Sequence, residues 1–224
     1  MEEKVKVVEK RKKQTRKKKE ETKKEKNLVD VFGVVNSDFS ADDIRSKVKL
    51  FDYAFEGGKF SSDHKAYANC QGVVGWINPD PNAPEGMRVF VVLPEQVKLS
   101  YSNIWISTGA DDLCDGRANT NKLLKCKNKN VEFPAAEYAN NYTKNGVKKG
   151  EAFLPALVQL VCLCQNTEGL RESLKKIGGT FEWWLISSTE FRSSFVQIAN
   201  SDDGFVTISM KDFNGCLVSC IIAY

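Results

Sequence analysis

From Trp183 to Tyr224 the chain alternates short apolar runs with small polar and aromatic residues, up to its last residue. Trp183-Trp184-Leu185-Ile186 opens the segment, Ser187-Ser188-Thr189-Glu190 follows, and Val218-Ser219-Cys220-Ile221-Ile222-Ala223-Tyr224 closes it. Such runs are rich in β-branched and aromatic residues, which suits a pleated, half-buried surface. Asp202-Asp203-Gly204 and Asn214-Gly215 separate them, and Asn-Gly between two such runs is a hairpin signal. Whatever this chain folds into must therefore accept several C-terminal strands into a sheet.

The preceding residues supply the other elements. Gly72-Val73-Val74-Gly75-Trp76-Ile77 and Val89-Phe90-Val91-Val92-Leu93 read as buried strands. The turn cluster from Asn78 to Gly86 makes them a long-looped hairpin near the middle of a sheet. Residues 102–130 are polar and predict a surface loop with Asx turns. Pro134 near a helix start predicts a helix from Phe133 to about Asn145. Leu157, Leu160, Val161 and Cys164 share one helical stripe, and Leu170, Leu174 and Ile177 continue it until Gly178-Gly179-Thr180. The order predicts an α+β fold with helices on one side of a mostly antiparallel sheet.

Charge divides the chain. Residues 1–26 carry 13 Lys/Arg and 6 Glu, whereas the remainder carries 20 Lys/Arg and 23 Asp/Glu. The overall charge of +4 thus belongs to an arm, helical or disordered, and the rest is mildly acidic, without a nucleic-acid footprint. The arm reads either as a solvated leader or as an attachment to an acidic scaffold or virion partner. Residues 27–49 read as a connector, with Ser40 capping a short helix through Ile44 and Val48. No apolar run reaches the roughly 18 residues of a membrane span. Met1-Glu2-Glu3-Lys4 opens no signal sequence, so a cytoplasmic or virion-associated protein is expected.

Chemistry-bearing residues are sparse. Seven cysteines without a Cys-x-x-Cys pair and a single histidine, His64, do not make a zinc site. The stretches 108–112 and 115–120 hold oxygen-bearing residues but not the spacing of an EF-hand loop. No metal and no cofactor are expected. Ser187 or Ser188 as a nucleophile would need a nearby base, and His64 lies far away in a polar stretch. These hydroxyls and Glu190 are better suited to satisfying backbone groups where strands turn.

A set of motifs follows in order: Gly72-Val73-Val74-Gly75-Trp76, Asn78-Pro79-Asp80, Ala83-Pro84-Glu85-Gly86, Asp115-Gly116-Arg117-Ala118-Asn119-Thr120, Phe133-Pro134-Ala135-Ala136-Glu137-Tyr138, Gly150-Glu151-Ala152-Phe153-Leu154-Pro155-Ala156, Ile177-Gly178-Gly179-Thr180 and Ser187-Ser188-Thr189-Glu190. With the Val218–Tyr224 ending, residues 50–224 resemble a bacterial and phage family with the C-type-lectin fold. The family is related to the formylglycine-generating-enzyme type and includes variable proteins of diversity-generating retroelements. The resemblance implies a fixed scaffold whose C-terminal surface residues diversify at Asn codons. Between Phe191 and Leu217, only Gln197, Met210 and Lys211 are residues that such mutation cannot produce. Two departures stand out: Ile186 and Gln197 occupy places where the family has tryptophan.

The resemblance implies non-catalytic binding of a protein or glycan through the C-terminal hairpins, as in phage receptor-binding tips. Alternation places Val206 and Ile208 toward the core, and Phe205, Thr207 and Ser209 on the opposite face. With Arg192, Ser194, Phe195, Asn200, Asp202, Asp203, Asp212, Phe213 and Asn214 they form the expected ligand-binding set. Aromatics among Ser, Asn and Asp have the character of a paratope. Two rivals remain: an enzyme of the formylglycine-generating type using Cys216 and Cys220, and a phage structural subunit held by the arm.

Overall fold

The computed structural model describes residues 47–80 and 82–224. The arm at 1–26 and the connector at 27–49, apart from Lys47, Val48 and Lys49, lie outside the described residues. The strands are β1 (Tyr53–Phe55), β2 (Lys59–Ser61), β3 (Cys70–Ile77), β4 (Val89–Lys98), β5 (Trp184–Arg192), β6 (Phe195–Asn200), β7 (Val206–Met210) and β8 (Leu217–Ala223). Four α-helices lie between β4 and β5: α1 (Gly116–Cys126), α2 (Pro134–Asn141), α3 (Leu157–Cys164) and α4 (Thr167–Lys176). The fold is α+β, with one eight-stranded sheet in the order β2-β1-β3-β4-β8-β5-β6-β7.

The final strand lies inside the sheet. β8 runs antiparallel to β4, with Phe90 opposite Ala223 and Lys98 opposite Leu217. It meets β5 in parallel at a single pair, Leu185 with Leu217. Further along, Phe153 takes that side of β8, exchanging both backbone hydrogen bonds with Ile221 at 3.0 and 3.1 Å. The hairpin expected at Asn214-Gly215 is therefore corrected. The chain turns there but crosses from the edge strand β7 past β6 and β5. Strand pairing is decided by burial, and Val218-Ser219-Cys220-Ile221-Ile222, buried on both faces, suits an interior position.

Helices cover both faces of the sheet, not one. On one face Leu123 of α1 and Ala135, Ala136 and Ala139 of α2 pack with Val91, Ile186, Val196, Ile198, Val218 and Cys220. On the other, Leu160 and Leu163 of α3 and Leu170 and Leu174 of α4 pack with Val73, Val92, Leu185, Ala199 and Ile221. The β3–β4 hairpin, α2, α3 and α4 stand where the sequence places them, whereas α1 falls in the stretch expected to be loop. Its buried residues are Gly116, Asn119, Thr120 and Leu123, a helical stripe made mostly of polar groups. Asp115 caps it by accepting from the Ala118 amide at 2.8 Å.

Candidate ligand-binding surface

Ser187-Ser188-Thr189-Glu190 fastens the long loop after β4 to the sheet. The Ser187 hydroxyl donates to the Gln197 carbonyl at 2.7 Å, and that of Thr189 to the Asp112 carbonyl at 3.0 Å. Glu190 accepts from the Ser107 hydroxyl at 2.8 Å and from the Thr108 amide and hydroxyl at 2.9 and 2.6 Å. Lys211, fully buried, donates to Glu190 at 2.8 Å and to the Ile106 carbonyl at 2.5 Å. Burial pushes the Glu190 carboxyl upward, but the bonds from Lys211, Thr108 and Ser107 outweigh it and hold it below the ordinary glutamate value. Burial likewise draws Lys211 below the ordinary lysine value, with Glu190 opposing. Three chain segments thus meet on one buried ion pair.

The expected binding residues divide between the two ends of β6, which are about 17 Å apart. Arg192, Ser194, Phe195, Asp212, Phe213 and Asn214 gather where β5 turns into β6 and β7 leaves the sheet edge. There the Lys211 amide donates to the Ser194 carbonyl at 3.1 Å. The Phe213 ring, 55% exposed, folds back over Gly215, where an added Cβ would sit 2.1 Å from it. Asn200, Asp202, Asp203 and Phe205 gather at the other end, in the turn from β6 to β7. Thr207 and Ser209 lie between the two groups, half-buried along β7.

The edge strand corrects the expectation for Val206 and Ile208. They do point to one face, opposite Ala199 and Gln197, but they are 39% and 41% exposed. That face is the one α3 covers, and its packed layer ends at β6, where Ala199 is fully buried. β7 overhangs it, so Val206, Ile208 and Met210 present apolar side chains beyond the core.

The Asn200 end is hollow. A cavity of about 400 Å³ opens there, lined by Arg171, Glu182, Trp183, Trp184, Asn200 and Asp202. Trp183 stands 69% exposed with a backbone φ of +67°. An aromatic residue in that left-handed region carries about 1–3 kcal/mol of strain. Its carbonyl accepts from the Ser201 amide at 2.9 Å, which helps hold the conformation. Trp184 is half-buried and meets Phe205 edge to face, with ring centroids 6.3 Å apart.

The polar wall of the cavity is braced from behind. The Arg171 guanidinium donates to the Phe181 carbonyl at 2.6 Å, the Ser201 hydroxyl at 2.8 Å and Asp202 Oδ1 at 2.5 Å. Asn200 Oδ1 accepts from the Asp202 amide at 2.8 Å. Asn200 Nδ2 and the Glu182 carboxylate make no hydrogen bond among the described residues. Arg171, Glu182, Trp183 and Trp184 are absent from the expected set. The available signal was the Trp-Trp pair that opens the C-terminal segment.

Cys216 and Cys220 are both buried, and burial pushes both thiols above the ordinary cysteine value. In the stretch resembling a calcium loop, Asp112 Oδ1 accepts from the Cys114 and Asp115 amides at 2.8 and 2.9 Å. Asp115 is occupied as a helix cap. Among the described residues, no three His, Cys, Asp or Glu side chains are grouped to hold a metal ion. No described helix is long and apolar enough to cross a membrane.

No family model matches the chain, and no curated protein does. Among solved structures, the chain is similar to a fimbrial protein from Bacteroides ovatus ATCC 8483, at a TM-score of 0.57 and 14% identity. The match covers 79% of this chain and 49% of that one, so the chain spans about half the length of the fimbrial protein. At that identity the likeness is one of fold.

Proposed function

We propose that this chain is a non-catalytic ligand-recognition protein with a C-type-lectin-like fold, akin to the variable proteins of diversity-generating retroelements. The observation that carries the reading is the contrast between surface and support at the C-terminal turns. Trp183, Phe205 and Phe213 are exposed among Ser, Asn and Asp, while Lys211 and Glu190, at the Phe213 end, are buried and paired. Rigid aromatic anchors with adaptable polar neighbours suit recognition of a protein or glycan. The position of Lys211 fits as well: it is one of three residues that Asn-codon mutation cannot produce, and it belongs to the buried support. The burial of Cys216 and Cys220 favours this reading over thiol oxidation of the formylglycine-generating type, because a reactive thiol must be accessible and readily ionised.

Sequencing the last 40 codons from several isolates tests the proposal. Variation should concentrate at exposed positions such as Arg192, Asp202, Asp203, Phe205 and Phe213, and at half-buried Asn200, and spare Lys211, Glu190 and Ile198. Substitutions spread evenly over buried and exposed positions would sink it. The retroelement part further requires a nearby reverse transcriptase and an adenine-variant template repeat.

A further inference from the structure

We propose that the cavity beside Trp183 is a saccharide-binding subsite, an inference that rests on the recognition reading and names the ligand chemistry at one end of the surface. Trp183, 69% exposed, lines the cavity beside Trp184, whose ring meets Phe205 edge to face. A pyranose ring has an apolar C–H face that lies flat on such a surface, and hydroxyls around its edge. The polar groups fit those hydroxyls. Asn200 Nδ2 is a donor with no partner among the described residues, and the Glu182 carboxylate and the second oxygen of Asp202 are acceptors.

Charge narrows the ligand class. Arg171, the one cation lining the cavity among the described residues, is held by Asp202 and two further acceptors, while Glu182 adds a negative charge with no ion-pair partner among them. That balance disfavours a phosphate or sulfate and favours a neutral polyol. The volume, about 400 Å³, lies within the range of small-ligand sites, roughly 300–1,000 Å³. The left-handed backbone falls at the same residue: Trp183, 69% exposed, lines the cavity with a φ of +67°.

The full chain is titrated with glucose, galactose, mannose, N-acetylglucosamine and their β-linked disaccharides, followed by tryptophan fluorescence and saturation-transfer NMR. Choline and inorganic phosphate are included as competing chemistries. At least one neutral saccharide should bind saturably. Trp183→Gly should weaken it by about ten-fold, the upper range for loss of one aromatic contact, without lowering the melting temperature, since glycine accepts the left-handed backbone. Asn200→Ala and Glu182→Gln should each weaken binding by a smaller factor, and Trp105→Phe, in a separate loop, should leave it unchanged. Absence of saccharide binding, binding indifferent to Trp183→Gly, or binding of choline or phosphate alone would overturn the proposal. Codon variation at the exposed positions without saccharide binding would remove this subsite and leave the recognition reading standing.

Discussion

The two ends of the β6–β7 hairpin are built from similar residues and do opposite things. At the Phe213 end, the turn sits on Lys211, whose ammonium and partner carboxylate are buried and fully engaged. At the Trp183 end, the turn borders a cavity, the exposed aromatic is held in a strained conformation, and Asn200 Nδ2 and the Glu182 carboxylate have no hydrogen-bond partner among the described residues. Polar groups satisfied within the protein contribute to its stability, whereas groups left facing a cavity are available to a ligand. The comparison assigns rigidity to one end and selectivity to the other.

Breaking the ion pair should have the largest effect. Lys211→Met leaves Glu190 buried without its cation and should destabilise the fold by about 3–5 kcal/mol in denaturant titration. The pH dependence has a definite sign. Because the folded Glu190 carboxyl lies below its unfolded value, its contribution is complete above the ordinary glutamate value of about 4.3 and is lost as pH falls through the folded one. Glu190→Gln should therefore flatten the acid limb of the stability curve. At the other end, Trp183→Gly should move stability in the opposite direction, a gain of about 1 kcal/mol from relief of the left-handed backbone. A loss there would show that the indole contributes to packing.

Smaller effects sharpen the contrast. Gly215→Ala drives a Cβ into the Phe213 ring, which is exposed and can swing away, so the expected cost is about 0.5–1 kcal/mol. Ile208→Thr should change stability by no more than about 0.5 kcal/mol, since the side chain overhangs the packed layer. A loss above about 2 kcal/mol, the scale of a core truncation, would place it in the core after all.

Much of the scaffold was legible because its signals are local. The β3–β4 hairpin announces itself by two apolar runs around a turn cluster, and α3 and α4 by an apolar stripe. The helix α1 was not legible, because Asn119 and Thr120 face the core and leave no apolar period. The parity of β7 was legible but its exposure was not: alternation tells which side chains share a face, not whether a helix reaches that far. The interior position of β8 depends on pairings with residues more than a hundred positions away, as between Ile221 and Val92. At the candidate site, Asn200 and Asp202 were legible from turn chemistry and Phe205 from strand alternation. Arg171 and Glu182 were missed because they reach the cavity from α4 and from the segment before β5, which only the fold brings together.

The most direct test of the division between the ends is an amide and indole NMR map of the full chain during titration with a bound saccharide. The account predicts shifts at the Trp183 and Trp184 indoles and at Asn200 to Phe205, with Lys211 to Gly215 unmoved. Shifts confined to Phe213 and its neighbours, with the Trp183 indole silent, would contradict it.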